Sequence, residues 1–396
     1  MRLQDMKFAQ ALPPHVRSYI SIRHPGYISG EDAMLALPCL DEISGLDETD
    51  AYVQADQGVP GSRPALAATH GVHFTTMLVA CQIIAGNSFK AGYLSYDVQG
   101  SHRVALTGRG ILTHGHYFLH VPQNADATDA DATETTSYAV TPNFQEWRFP
   151  DRLPPIWQTV ADTPRDPTTS CIITGRTRFE KAHVVPQAQE EWFTNNTMWE
   201  HAEGVDSASH SAANVCCLRP DLHKIFDDRT FALVPKLEAD GRCHTVVHFF
   251  STQNSIADVA LRHHNRKVHS LDAVAPQFLF ARFALTVFAY VKNFVLRGAQ
   301  RQIAVVQRGI EPSGRPSWVT KVIDMDRAER HKRYGGGGSR ASSPSKRSRP
   351  PSDYQRDASE SVDSYAPAWE EDVRTAAWAA AAQRRMMSLV PQLTWI

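Results

Sequence analysis

The segment spanning residues 171–236 constrains the fold most, because prolines delimit short elements within it. His183 lies in a short β-favouring run that ends at Pro186. Pro220 suits the first turn of a helix, since its missing N–H costs nothing there. The apolar run 215–218, just before that proline, has the length of a short strand. The pattern therefore predicts a strand, a second strand and then a helix.

The same segment carries side chains that can bind metal or move protons. On a helix that starts at Pro220, His223 and Asp227 are four residues apart and point from one face. An imidazole and a carboxylate on one face can share a divalent ion. Asn214 lies nine residues before His223, in the loop that leads into the second strand. The sequence thus predicts a hairpin and a helix arranged around one metal ion.

These ordered motifs resemble the HNH nuclease family, and more closely its fungal members. They read Cys171-Ile-Ile-Thr-Gly175, Glu180-Lys-Ala-His183 running on to Pro186, Asn214, and Leu218 to Asp227 with Leu222-His223 and Phe226-Asp227 inside it. The run Trp147 to Trp157 also resembles the stretch that precedes the nuclease element, so the resemblance covers roughly residues 144–236. It implies an α+β fold with a central ββα-metal element.

The resemblance also implies roles for the motif residues. His183 corresponds to the general base that takes a proton from the attacking water, and histidine suits this role because its pKa lies near neutrality. Asn214 corresponds to a residue that orients this histidine or completes the metal shell. His223 and Asp227 correspond to metal ligands. The ion would be Mg²⁺, with Mn²⁺ or Zn²⁺ as alternatives, and the family's products carry a 5′ phosphate and a 3′ hydroxyl.

One position departs from the pattern of many family members. Those members place Asp or His directly before the catalytic histidine as a further metal ligand, whereas this chain has Ala182. Glu180 can supply a carboxylate to the ion or simply form a hydrogen bond at the surface. Two hypotheses follow: a divalent-metal-dependent HNH endonuclease, a phosphodiesterase that cleaves DNA, or a catalytically inactive HNH-like protein that binds nucleic acid or acts as a scaffold.

Charge does not mark the nuclease segment itself as a DNA-binding surface. Residues 171–236 contain seven Lys or Arg and nine acidic residues. Binding of a polyanion would need cations from elsewhere. Arg262, Arg266 and Lys267 are candidate nucleic-acid contacts, although the same cluster also fits a solvated turn. The basic block after residue 297 is a second source of positive charge.

Composition and local patterns divide the 396 residues into regions. The predicted regions are a mixed α/β N-terminal domain at 1–122, an acidic linker at 123–143, the HNH domain with its preceding aromatic strap at 144–255, a helical region at 256–334, and a largely disordered tail at 335–396. Residues 74–85 fit either a buried helix or a strand.

The remaining signals concern the setting of the protein. The six cysteines form no Cys-x-x-Cys pair, and no secretory signal is recognisable, so we expect an intracellular protein. The basic run 346–349 is a candidate nuclear-import signal. The longest apolar stretch contains Arg282 and Lys292, so no membrane span is expected. The sequence identifies no protein partner.

Overall fold

Strands and helices alternate along the chain in a computed structural model, which confirms the mixed α and β class. The structure describes residues 18–27, 32–43, 69–122, 138–162, 169–202, 211–237, 241–253, 255–271, 273–298, 300–310 and 316–335. The helices are α1 (Phe74–Ile84), α2 (Pro155–Gln158), α3 (Glu190–Asn195), α4 (Pro220–Asp227), α5 (Ala257–His263), α6 (Pro276–Leu296) and α7 (Arg327–Tyr334).

The strands form several small sheets. They are β1 (Tyr19–Arg23), β2 (Ala33–Pro38), β3 (Asp41–Glu42), β4 (His70–His73), β5 (Tyr93–Ser95), β6 (Ile111–Leu112), β7 (His116–His120), β8 (Glu180–His183), β9 (Val215–Leu218), β10 (Phe231–Leu237), β11 (Cys243–Phe249), β12 (Gln300–Ile310) and β13 (Pro316–Asp326). One sheet has the order β2-β1-β7-β5 and another the order β3-β4-β6. The remaining strands pair as β8 with β9, β10 with β11, and β12 with β13.

Helix α6 runs through the core and explains its own apolar sequence. The predicted stripe is buried along its whole length: Leu279, Phe283, Val287, Tyr290 and Phe294. Among the described residues, α6 is the helix whose length and composition would allow it to cross a membrane, but 72% of its most apolar window is buried inside the protein. It therefore serves as a core helix here, packed against α1, β2 and β10.

The aromatic strap covers this helix, as the sequence predicts. Trp147 lies parallel to Trp192 of α3, with ring centroids 5.6 Å apart, and Trp192 Nε1 donates to the Trp147 carbonyl. Trp157 packs against the edge of Phe280 in α6, at 5.0 Å between centroids. Both Trp147 and Trp157 are buried. The strap is not extended throughout, because short helical turns form at 144–146 and 155–158.

The ambiguous apolar run near residue 74 is a helix. The side chain of His73 caps α1 by accepting from the Thr76 amide, which satisfies a free N–H of the first turn. Strands β5 and β7 pair antiparallel, with Leu94 opposite Leu119, in the two places where the sequence predicts strands.

The predicted domain boundaries stay a prediction. Residues 1–334 form one compact unit, and α6 packs against β2 from the N-terminal region and β10 from the nuclease region. Most of the predicted acidic linker, at 123–137, lies outside the described residues. The predicted disordered tail and its basic run, at 336–396, also lie outside them.

Candidate metal centre and nuclease site

The candidate site is built on the β8–β9 pair and helix α4. The two strands are antiparallel, with Ala182 opposite Cys216 and His183 opposite Val215. The chain then turns at Arg219, and Pro220 opens α4 as its first residue. Leu222 and Phe226 fill the buried face of α4, which directs other positions of the helix towards solvent. A strand, a second strand and a helix thus follow one another as predicted.

His223 lies between two carboxylates, so the structure brings together the two predicted metal ligands. Its Nδ1 is 3.0 Å from Glu180 Oε2 on β8. Its Nε2 is 3.5 Å from Asp227 Oδ2, one turn further along α4. The imidazole is 22% exposed, and the two carboxylate side chains are 54% and 53% exposed. This arrangement is open to solvent and carries two negative charges around one imidazole.

The donor set of this arrangement fits a divalent cation. An ionised carboxylate only accepts hydrogen bonds, so Glu180 accepts the Nδ1 proton and the Nε2 lone pair faces Asp227. Two atoms that bind one ion at about 2.1 Å each lie roughly 3 to 4 Å apart. The observed 3.5 Å between His223 Nε2 and Asp227 Oδ2 falls in that range. Glu180 takes the position of the carboxylate that commonly orients a metal-binding histidine.

Asn214 is fully buried and holds the chain just after His183. Its Oδ1 accepts from the Val185 amide at 2.8 Å, and its Nδ2 donates to the Val185 carbonyl at 2.9 Å. Its own carbonyl accepts from the Val184 amide. Three hydrogen bonds thus fix the two residues that follow His183. Sequence reasoning gave Asn214 an orienting role or a place in the metal shell, and these contacts lie on the backbone.

His183 ends strand β8 and is partly exposed. Successive side chains along a strand point to opposite faces, so His183 points away from the face that carries Ala182. The side-chain nitrogen of Gln187 lies 3.5 Å from His183 Nε2. Ala182 is completely buried, so this position, where many family members have a further ligand, packs into the core here.

Arg282 of helix α6 braces the site from beneath, and sequence reasoning missed it. Its guanidinium donates to the carbonyl of Phe226 in the last turn of α4 and to the Val184 carbonyl at 3.3 Å. It also lies 3.7 Å from the centre of the Phe226 ring. Burial lowers its pKa to about 9. In the sequence it looks like a charge that interrupts an apolar stretch, which gives no sign of these partners.

A second group of metal-binding residue types lies in the interior. Ligand atoms of Asp41, His248 and His264 lie within 4.8 Å of one another. However, the Lys236 ammonium contacts Asp41 Oδ1 and lies 3.1 Å from His248 Nδ1. It also donates to Asn265 Oδ1 at 2.7 Å. The chain therefore supplies its own cation to this group, and a metal ion would have to displace it.

Charge balance in the interior group follows from burial and pairing. Burial tends to raise the pKa of Asp41, but the charges of Lys236 and His264 outweigh this and hold that pKa well below its usual range. Burial and the charge of Lys236 hold the pKa of His248 well below its ordinary value. Near neutral pH the group is thus an ion pair with neutral imidazoles around it. We call Asp41, Lys236, His248, His264 and Asn265 the buried ionic cluster.

A strand pair and a helix that present an imidazole between carboxylates define a candidate divalent-metal site. Residues 171–234 match the model of the family described as HNH endonuclease, and this range contains every motif residue of the site. The resemblance seen in the sequence is thereby confirmed, and it indicates a nuclease, a hydrolase whose substrate is nucleic acid. The assignment to the fungal members stays a prediction. No curated protein and no solved structure matches the chain significantly.

Proposed function

We propose that this protein is a divalent-metal-dependent endonuclease that hydrolyses phosphodiester bonds of DNA. The observation that carries the proposal is His223, whose two ring nitrogens face Glu180 and Asp227 at 3.0 and 3.5 Å. The family match over residues 171–234 supports the same chemistry. Exposure of the site to solvent leaves room for a large polyanionic substrate.

The metal would be held by His223 Nε2 and the Asp227 carboxylate, with Mg²⁺ as the expected ion and Mn²⁺ or Zn²⁺ as alternatives. When bound, the ion supplies stabilisation of the charge on the phosphate and on the departing 3′ oxygen. His183 takes the proton from the attacking water through a ring nitrogen. Asn214 keeps the main chain after His183 in place, so that the imidazole stays at the end of β8.

Glu180 acts through His223 as a positioning residue. By accepting the Nδ1 proton it fixes the tautomer in which Nε2 carries the lone pair. It also limits rotation of the ring, which is worth about 10- to 100-fold in metal affinity at comparable sites. This role partly offsets Ala182, which contributes no ligand atom.

The proposed activity is tested by incubating supercoiled plasmid with full-length protein and Mg²⁺, Mn²⁺ or Zn²⁺. We expect nicked and linear products that chelator abolishes. The His183→Ala variant should lose activity by about 10²- to 10⁴-fold while its thermal unfolding stays unchanged, because it removes the proton acceptor only. His244→Ala, a change of the same type at a partly exposed position on β11, serves as the matched control. Wild-type rates in His183→Ala would contradict the assigned role.

An inactive HNH-like nucleic-acid-binding or scaffold protein is the second candidate. Ala182 favours it, because the buried alanine leaves fewer protein ligands for the ion. DNA binding that weakens with salt, together with no cleavage under any of the three ions, would favour this candidate. For either function, Arg262, Arg266 and Lys267 are proposed to contact nucleic acid, and their side chains are exposed.

The cellular setting also stays a proposal. All six cysteines carry free thiols, in keeping with the intracellular location that we propose. Import into the nucleus by the basic run 346–349 is part of the same proposal and is tested by imaging the tagged protein with and without this run.

A further inference from the structure

Arg219 lies on the same side of α4 as the proposed metal ligands. It is the residue before Pro220, and its carbonyl accepts from the His223 amide at 2.8 Å, which closes the first turn. Arg219, His223 and Asp227 therefore succeed one another at spacings of four residues along one line. The rise from Arg219 to His223 is about 6 Å.

The guanidinium of Arg219 is oriented rather than loose. Its Nε and Nη2 donate to the two carboxylate oxygens of Asp221, at 2.5 and 2.7 Å. This two-point pair fixes the guanidinium plane, and Nη1 has no partner among the described residues. The side chain is 31% exposed, so Nη1 is available to an anion in solution.

Two further arginines lie at the end of helix α5. Arg262 is in the last turn of the helix, and Arg266 follows it in a turn where the Arg266 amide donates to the His263 carbonyl at 3.1 Å. The Arg266 carbonyl in turn accepts from the Val247 amide of β11. Both arginine side chains are exposed, on a backbone that hydrogen bonds hold in place.

His263 shows that the three arginines converge. Its side chain is buried, and after burial itself the charges of Arg266, Arg219 and Arg262 lower its pKa. All three guanidinium groups are therefore close enough to act on one ring. The end of α5 and the start of α4 form one basic surface, in which Asp221 is the acid that acts on the same ring.

Substrate charge gives this surface a purpose. The proposed metal site carries the carboxylates of Glu180 and Asp227, which repel a phosphate until a cation balances them. A DNA strand carries one phosphate per about 3.4 Å of helix axis. Phosphates next to the scissile one therefore lie within reach of a guanidinium about 6 Å from His223 along α4.

We propose that Arg219, Arg262 and Arg266 form a phosphate-binding surface that holds duplex DNA beside the scissile bond. This inference rests on the proposed nuclease function for its purpose, but it concerns binding and is measurable without cleavage. It adds Arg219, which the sequence does not single out, and it joins the α5 arginines to the nuclease element.

The test measures the affinity of His183→Ala protein for a labelled 20-base-pair duplex at several salt concentrations. We expect the additional pair Arg262→Ala and Arg266→Ala to weaken binding at least tenfold and to lower the slope of log affinity against log salt by about 2, since each lost phosphate contact accounts for about 0.9. Arg219→Gln should lower the slope by about 1. It keeps a polar side chain before Pro220, so it tests the surface without removing the α4 start.

The pair Arg327→Ala and Lys332→Ala on α7 is the matched control, because it removes the same charge from exposed positions. Helix α7 packs at the far end of α6, where Arg330 donates to the Val295 carbonyl. That carbonyl is about 20 Å along α6 from Arg282, which braces the nuclease element. The control should therefore leave the affinity nearly unchanged.

Several outcomes would overturn the inference. Unchanged slopes in both arginine variants would do so, as would an equal loss in the α7 control. Tighter binding of a single-stranded RNA competitor than of the duplex would overturn the assignment to DNA. Failure of the nuclease function is a separate result: wild-type protein would then not cut plasmid, while the arginine variants would still lose DNA affinity.

Discussion

Two groups of histidines and acids in this protein differ in what balances their negative charge. In the buried ionic cluster, Asp41 pairs with Lys236 inside the protein, and both side chains are almost fully buried. In the candidate nuclease site, the ion pairs of Glu180 and Asp227 within the described part of the chain run to His223, and all three are accessible. The comparison teaches that matching residue types are not enough: a protein that supplies its own ammonium has little use for a metal there, whereas exposed carboxylates around one imidazole favour an added cation.

The largest effect is expected from breaking the pair inside the buried ionic cluster. Lys236→Met leaves the Asp41 carboxylate buried without its main partner, which should lower the free energy of unfolding by about 3 to 5 kcal/mol. Asp227→Asn at the exposed site should change it by no more than about 0.5 kcal/mol. Urea denaturation of the two variants and the wild type measures both.

The same pair of variants decides which group binds metal. In Asp227→Asn protein, whose exposed site is weakened, chelator should leave the urea midpoint unchanged. A shift with chelator in that protein would mean that Asp41, His248 and His264 bind an ion, and it would remove the contrast between the two groups.

Acid should destabilise the region around the cluster. Burial, followed by the charge of Lys236, lowers the pKa of His73 to about 4. The unfolded chain takes up a proton near pH 6.5, so it binds more protons than the folded chain between these values. Stability is therefore fully present above pH 6.5 and falls as the pH drops towards 4, by about 3 kcal/mol for this group.

His248 and His264, whose pKa values are also lowered by burial, act in the same direction. Urea midpoints measured from pH 7.5 to pH 4.5 check the trend. His73→Gln should flatten the profile, and a wild-type midpoint that rises on acidification would contradict the assignment of neutral buried imidazoles.

The smallest effect concerns Glu180, which sharpens the exposed side of the comparison. Glu180→Gln keeps the shape of the side chain but turns the carboxylate into an amide. We expect metal affinity, measured by calorimetry, to fall by about 10- to 100-fold, with little change in the urea midpoint. Glu191→Gln, an exposed acid on α3, is the control. Equal affinities in Glu180→Gln and the wild type would show that Glu180 does not position His223.

The sequence predicts contacts that depend on local spacing. His223 and Asp227 are four residues apart on a helix, and their approach to 3.5 Å follows from that spacing and the proline that starts the helix. The buried stripe of α6 is predictable for the same reason, since apolar residues recur at every third or fourth position.

Contacts between distant parts of the chain are not predictable in this way. Glu180 and His223 are 43 residues apart, and Lys236 and Asp41 are 195 apart. Their meeting depends on how β8 packs against α4 and how β10 packs against β3, and no periodicity records that. Arg282 has the same difficulty, because its partners are backbone carbonyls, which every residue carries.

The position of Arg282 has a mechanical consequence. One side chain of the longest helix grips both the last turn of α4 and the residue that follows His183. The metal-binding half and the proton-accepting half of the site are thus clamped to a shared girder. A packing defect anywhere along α6 can misalign the two halves together and silence the enzyme with every reacting group intact.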